Sequence, residues 1–74
     1  MSRRIVRELL SRKTPDGSYL VPLRNTPEAV KLLENFNGVS VEDAGDVLLV
    51  KTRARSVAER IAVLALKKRL LALE

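Results

Sequence analysis

The sequence contains no cysteine, no histidine and no tryptophan among its 74 residues, and it has one tyrosine and one phenylalanine. Without cysteine and histidine it offers neither a disulfide framework nor the usual ligands of a zinc site. The same absence removes the common nucleophile–base pairs of enzymes. The three glycines are isolated, so the chain has no glycine-rich phosphate loop. We therefore expect a protein that is not an enzyme and that holds no metal or cofactor.

The charge of the chain is positive and unevenly distributed. Fourteen basic residues against nine acidic ones give a net charge of +5. Residues 1–13 carry five basic residues and one acidic residue, and residues 51–74 carry seven basic and two acidic residues. Residues 14–50 between them carry two basic and six acidic residues. Either the basic ends bind an anionic partner, or they stabilise the acidic middle of the same chain.

The length and composition predict one small folded domain covering residues 1–74. A chain of this size buries only about 60% of its unfolded surface. Its first residues are basic, but Arg7 and Glu8 interrupt the apolar run that follows, so a signal peptide is not predicted and the expected compartment is the cytoplasm. The lack of glutamine and the abundance of arginine are typical of a heat-adapted protein.

The first third of the chain predicts a helix, a turn and an edge strand. Apolar residues recur at three- and four-residue steps after Ser2, which can cap a helix over residues 3–12. Residues 14–17 have the composition of a β-turn. Residues 18–24 alternate as a strand does, and Pro22 restricts that strand to an edge because proline donates no ladder hydrogen bond.

A second helix and a hairpin are predicted in the middle of the chain. Thr26 can cap this helix, Pro27 suits its first position, and Asn37-Gly38 ends it. The stripe predicted to face the core consists of Ala29, Val30, Leu33 and Phe36. The small polar residues 43–46 indicate a hairpin loop. The apolar start of the second hairpin strand, residues 47–52, predicts a central strand that helices or another subunit cover on both faces.

The last part of the chain predicts a long helix with two apolar stripes. The capping-box spacing of Ser56 and Glu59 and the lack of later glycine or proline favour a helix over residues 57–73. The stripe predicted to cover the sheet consists of Val57, Ile61, Leu64 and Leu71. The stripe predicted to form a homo-oligomer, dimer or tetramer, consists of Val63, Leu66, Leu70 and Leu73. The predicted class is α+β, with a small three-stranded, mainly antiparallel sheet and the order α-β-α-β-β-α.

Basic residues at both ends of the chain predict a groove for a nucleic acid. Lys51, Arg53 and Arg55 alternate at the end of the central strand, where they present cations to successive phosphates. The other predicted contacts are Arg3, Arg4, Arg7, Tyr19 and Arg24. Phosphate contacts make binding salt-dependent and nearly independent of sequence. The competing interpretation is that these cations are solvated or paired with the acidic residues of the hairpin.

The order helix, strand, helix, hairpin and leucine-rich basic helix resembles that of the small archaeal single-stranded DNA-binding proteins of the ThermoDBP-related group. The resemblance rests on this order over most of the chain, on the row of residues 51–55 and on the helix of residues 57–73. It implies intracellular, sequence-independent binding of single-stranded DNA by an oligomer without a metal. Phe36 lies on the predicted core stripe and Tyr19 suits either the core or a stacking platform. The chain thus has fewer aromatic residues than the aromatic-lined cleft of the family, so phosphate contacts are expected to contribute more to binding than base stacking. RNA is the alternative ligand.

Two other functions fit the same sequence. A winged-helix binder of duplex DNA would use the hairpin and the last helix, but the chain has room for one helix between the first strand and the hairpin, where two are needed. A structural or interaction subunit of a larger assembly, such as a ribosome, would use the apolar stripe for docking. Attachment to a membrane is disfavoured because the first helix is short and has no aromatic anchor, and no small-molecule substrate is expected.

Overall fold

The computed structural model describes residues 3–72, with side chains from Arg4 onward. Its helices and strands are α1 (Arg3–Ser11), β1 (Tyr19–Arg24), α2 (Pro27–Leu33), β2 (Ser40–Asp43), β3 (Val47–Thr52) and α3 (Arg55–Lys67). The strands form one antiparallel sheet in the order β1-β3-β2. The predicted α+β class, the order of elements and the central place of β3 are confirmed.

Helices cover one face of the sheet. Leu48, Val50 and Thr52 of β3 are buried, whereas the residues that alternate with them are half-buried. β1 alternates in the same way, and both α1 and α3 pack against it. The opposite face, called the outer face here, is not covered by any helix among residues 3–72. Cover of both faces of β3 by helices is therefore not found among residues 3–72, and cover of the outer face by another subunit stays a prediction.

Pro22 lies on an edge strand, as predicted. Its carbonyl accepts a hydrogen bond from the N–H of Ala72 at 3.0 Å, on the side of β1 that faces away from β3. The nitrogen of a strand residue points to the same side as its carbonyl, so the missing donor removes no bond between β1 and β3. The N–H of Arg24 also bonds outward, to the carbonyl of Leu70 at 2.7 Å. Residues 70–72 thus cover part of this edge.

α2 starts as predicted, but it ends at Leu33 and not at Asn37-Gly38, and it differs in the face that it buries. The hydroxyl of Thr26 accepts a hydrogen bond from the N–H of Ala29 at 3.2 Å, and Pro27 is the first helical residue. The buried residues of the helix are Ala29, Leu32 and Leu33. Val30, which was predicted to face the core, is 44% exposed, because Leu32 takes its place on the buried side of this seven-residue helix.

α3 begins and ends earlier than predicted. Ala54 is its N-cap and makes no side-chain capping bond, so the predicted capping box at Ser56 and Glu59 does not form. The helix ends at Lys67, and Arg69 adopts φ +58°. The N–H of Leu70 then donates to the carbonyl of Ala65 at 2.7 Å, and the N–H of Arg69 to that of Leu66 at 3.2 Å. These two bonds form a Schellman motif with arginine where glycine is usual.

The early end of α3 changes the role of its apolar residues. The buried face of the helix consists of Ala58, Ile61, Ala62 and Ala65. Leu64, predicted to cover the sheet, is 37% exposed. Leu71 is 7% exposed and forms an isolated bridge with Leu23 of β1. The single-helix stripe of Val57, Ile61, Leu64 and Leu71 is therefore wrong.

The stripe predicted to form an oligomer is also divided. Leu70 is 4% exposed and belongs to the core of its own chain. Val63 and Leu66 are partly buried and pack against that core. Leu73 lies outside the described residues. A continuous contact stripe of these four residues is excluded by the burial of Leu70.

Candidate nucleic-acid interface

Two of the predicted basic residues meet in a groove between α1 and α3. Arg7 comes from the middle of α1 and Arg55 from the first residue of α3. The groove, called groove A here, is lined by Val6, Arg7, Leu10, Arg55, Glu59 and Val63. Val6 and Leu10 are buried, and they hold α1 on α3 so that Arg7 stays at the surface. Arg4 lies one turn before Arg7 and is also exposed.

Two further predicted residues line a groove at the end of the sheet. This groove, called groove B, is lined by Asp16, Ser18, Gly38, Ser40, Lys51, Thr52 and Arg53. Thr52 is buried, so the alternation of β3 places Lys51 on the outer face. The hydroxyl of Thr52 accepts a hydrogen bond from the N–H of Ala54 at 3.2 Å. This bond fixes the turn that carries Arg53 on one side of Ala54 and Arg55 on the other.

Grooves A and B are joined by the turn between β3 and α3. We call the exposed or half-buried cations Arg4, Arg7, Lys51, Arg53 and Arg55 the basic track. Its members come from both ends of the sequence, and the packing of α1 on α3 brings Arg7 of the first group to Arg55 of the second. The acidic middle of the chain therefore does not separate Arg7 from Arg55 in space.

One carboxylate in each groove reduces the positive charge of the track. Glu59 lines groove A and Asp16 lines groove B. The hydroxyl of Thr14 donates to Asp16 and is the largest cause that lowers the pKa of this carboxyl from its ordinary value of 3.8. The N–H of Ser18, at 3.1 Å, lowers the pKa further, and the charge of Lys51 adds to the effect. Asp16 is thus ionised at neutral pH.

The turn around Asp16 should contribute stability that depends on pH. Because its pKa is lowered in the folded state, its contribution is present above the unfolded pKa and is lost as pH falls through the lower folded value. Asp16→Asn should therefore lower the melting temperature at pH 7, and the difference from wild type should disappear in strong acid. In a Thr14→Ala background the effect of Asp16→Asn should be smaller. A difference that stays constant from pH 7 to pH 2 would contradict this role.

Two of the predicted contacts lie away from the track. Tyr19 is 8% exposed on the covered face of the sheet, and the Nζ of Lys13 lies 5.1 Å from the centre of its ring. The ring is therefore not available for stacking. Arg24 is paired with Val47 at the far end of β3, four residues or about 13 Å from Lys51. The side chain of Arg3 lies outside the described residues.

Two other grooves are lined by residues that, apart from Val63, were not predicted to belong to a site. The first, groove C, is lined by Leu9, Arg12, Lys13, Thr14, Leu20 and Pro22. The second, called the apolar groove, is lined by Asn35, Phe36, Ser56, Val57, Glu59, Arg60, Val63 and Leu64 and has a volume of about 740 Å³. Neither could be found from sequence, because each combines elements whose contacting faces are set by tertiary packing.

Among residues 3–72, no group of three or more acidic side chains is placed so that it could hold a metal ion. No helix in the described part of the chain is long and apolar enough to cross a membrane. Comparison of the chain with protein-family models, curated proteins and solved structures finds no match.

Proposed function

We propose that this protein is a cytoplasmic, sequence-independent binder of single-stranded nucleic acid, with DNA the preferred ligand, and that the basic track is its binding surface. The observation that carries the proposal is the meeting of Arg7 and Arg55 in groove A, next to Lys51 and Arg53 in groove B. Cations that contact several phosphates release counterions from the nucleic acid, and this release drives binding.

The composition of the track favours contacts with the backbone of the strand. Its members are arginine and lysine, and phosphates are the same at every position of a nucleic acid. Glu59 and Asp16 limit the affinity because their charges repel the phosphates. The resemblance to the ThermoDBP-related group supports the same function.

The proposal is tested by a salt titration. Labelled single-stranded DNA, single-stranded RNA and duplex DNA of one sequence are compared by fluorescence anisotropy. With about four phosphate contacts, the affinity for a single strand should fall about 50-fold between about 50 and 200 mM salt. Absence of binding at low salt, or binding that salt does not change, would contradict the proposal.

The duplex arm separates the proposal from the winged-helix alternative. Tighter binding of duplex than of either single strand would favour that alternative. Between β1 and β2 the structure has one helix, α2, where the winged-helix arrangement needs two. We therefore expect the single strand to bind more tightly.

A homo-oligomer is the second part of the proposal. With Leu70 in the core, α3 still presents apolar side chains to solvent at the apolar groove, where Leu64 is 37% exposed. A second copy of the chain that covers this groove would bring two basic tracks into one assembly. If another protein covers it, the same groove serves the second candidate function, that of an interaction subunit.

A further inference from the structure

Groove C differs from grooves A and B in charge and in the nature of its walls. Leu9, Leu20 and Pro22 form its apolar part, and Arg12, Lys13 and Thr14 its polar part. None of these described residues is acidic, whereas each of the other two grooves contains a carboxylate. Its volume of about 310 Å³ lies at the lower end of the range for small-ligand sites.

Groove C lies beside the Lys51 end of the basic track. Leu20 of β1 is directly paired with Lys51 of β3. Both side chains are on the outer face, because Tyr19 and Thr52, their neighbours along the strands, are buried on the covered face. Directly paired residues have Cβ atoms about 5 Å apart. A strand bound at Lys51 therefore reaches groove C by crossing one β-strand.

The walls of groove C fit the flat face of a nucleobase. Bases that are not paired stack on apolar or aromatic side chains and on the plane of an arginine guanidinium. Leu20 and Pro22 supply the apolar wall. The ammonium of Lys13 lies over the ring of Tyr19, so we assign the contact with the base to Arg12.

We infer that groove C holds one unpaired base of the strand bound to the basic track, between the Leu20–Pro22 wall and the guanidinium of Arg12. This inference rests on the proposed function. It explains physically why the protein should prefer single strands to duplex. A base that is paired inside a duplex cannot enter the groove without being extruded. It also gives the protein a stacking site that uses no aromatic residue.

An abasic oligonucleotide separates base contacts from phosphate contacts. A labelled single-stranded DNA and a strand of the same length with abasic positions carry the same backbone charge. Wild type should bind the normal strand about 5-fold more tightly, which corresponds to about 1 kcal/mol, the lower end of the range for a base stacked on an aromatic side chain. Arg12→Lys keeps the charge and removes the planar group, so this variant should lose most of the preference while its salt dependence stays unchanged.

Two further variants complete the experiment. Leu20→Ser should also reduce the preference for the normal strand, and a thermal melt establishes that it is folded. Arg60→Lys is the matched control, because Arg60 is exposed and lines the apolar groove instead. This control should keep the full preference.

The outcomes distinguish groove C from the basic track. Equal, salt-dependent binding of both strands by wild type would leave the basic track in place and overturn the base site, leaving groove C to an acidic peptide or a second copy. Full preference in both Arg12→Lys and Leu20→Ser would also overturn it. Absence of binding to either strand would overturn the proposed function together with the base site.

Discussion

The double variant Arg53→Glu/Arg55→Glu should bind single-stranded nucleic acid about 100- to 1,000-fold more weakly than wild type at low salt. Each substitution replaces an attraction of about 1 kcal/mol between a cation and a phosphate at about 4 Å in water with a repulsion of the same size. Two substitutions therefore cost about 4 kcal/mol. Both residues are exposed, so the fold should tolerate the change, and anisotropy measures the loss.

The matched control is Lys67→Glu/Lys68→Glu. It changes the net charge by the same amount, and both lysines are exposed at the end of α3, away from the residues that line grooves A and B. Charge reversal there should weaken binding far less. An equal loss in both double variants would mean that the overall charge, and not the basic track, attracts the strand. Unchanged binding in Arg53→Glu/Arg55→Glu would remove the track as the interface.

The elements that were predicted well are those whose signals are local. Thr26 and Pro27 define the start of α2 through a capping bond and a fixed φ, and both act within one turn of the chain. The loop predicted at residues 43–46 is found at residues 44–46, between the antiparallel strands β2 and β3. Pro22 identifies an edge strand because proline has no N–H to donate. Such signals need no knowledge of distant residues.

The end of α3 could not be predicted because its cause is not local. Glycine is the usual residue in the left-handed position that ends a helix, and here Arg69 occupies it at φ +58°. Burial of Leu70 and Leu71 against β1 stabilises this turn. That contact joins residues far apart in sequence, whereas the periodic pattern of residues 57–73 alone predicts a helix that continues through the turn.

In the candidate site, too, the local features were predictable and the features that depend on long-range contacts were not. The alternation of Lys51, Arg53 and Arg55 was visible in the sequence because it follows from strand geometry and one short turn. The approach of Arg7 to Arg55 could not be predicted, because it results from the packing of α1 on α3. The position of Arg12 in groove C could not be predicted, because it depends on the packing of Arg12 beside the edge of β1. Tyr19 was ambiguous from sequence, since an edge strand has both a covered and an exposed face.

Substitution of Leu70 and of Leu64 should show which of the two residues belongs to the core and which to the oligomer contact. Leu70→Glu places a carboxylate at a position that is 4% exposed. Truncation of a buried leucine to alanine alone costs about 2–5 kcal/mol, and an unpaired buried charge costs more. A domain of this size has a free energy of unfolding of about 4–11 kcal/mol. Leu70→Glu should therefore be largely unfolded, as urea titration followed by circular dichroism measures.

Leu64→Glu should give the opposite result. Leu64 is 37% exposed in the apolar groove, so the charge remains in contact with water and the free energy of unfolding should fall by less than about 1 kcal/mol. Since a second copy would bury this position, sedimentation should show an oligomer for wild type and a monomer for Leu64→Glu. A folded, monomeric Leu70→Glu variant would instead restore the oligomer stripe of residues 63–73. A wild-type protein that is monomeric at high concentration would remove the homo-oligomer while leaving each basic track intact, because one chain supplies both Arg7 and Arg55 of groove A and Lys51 and Arg53 of groove B.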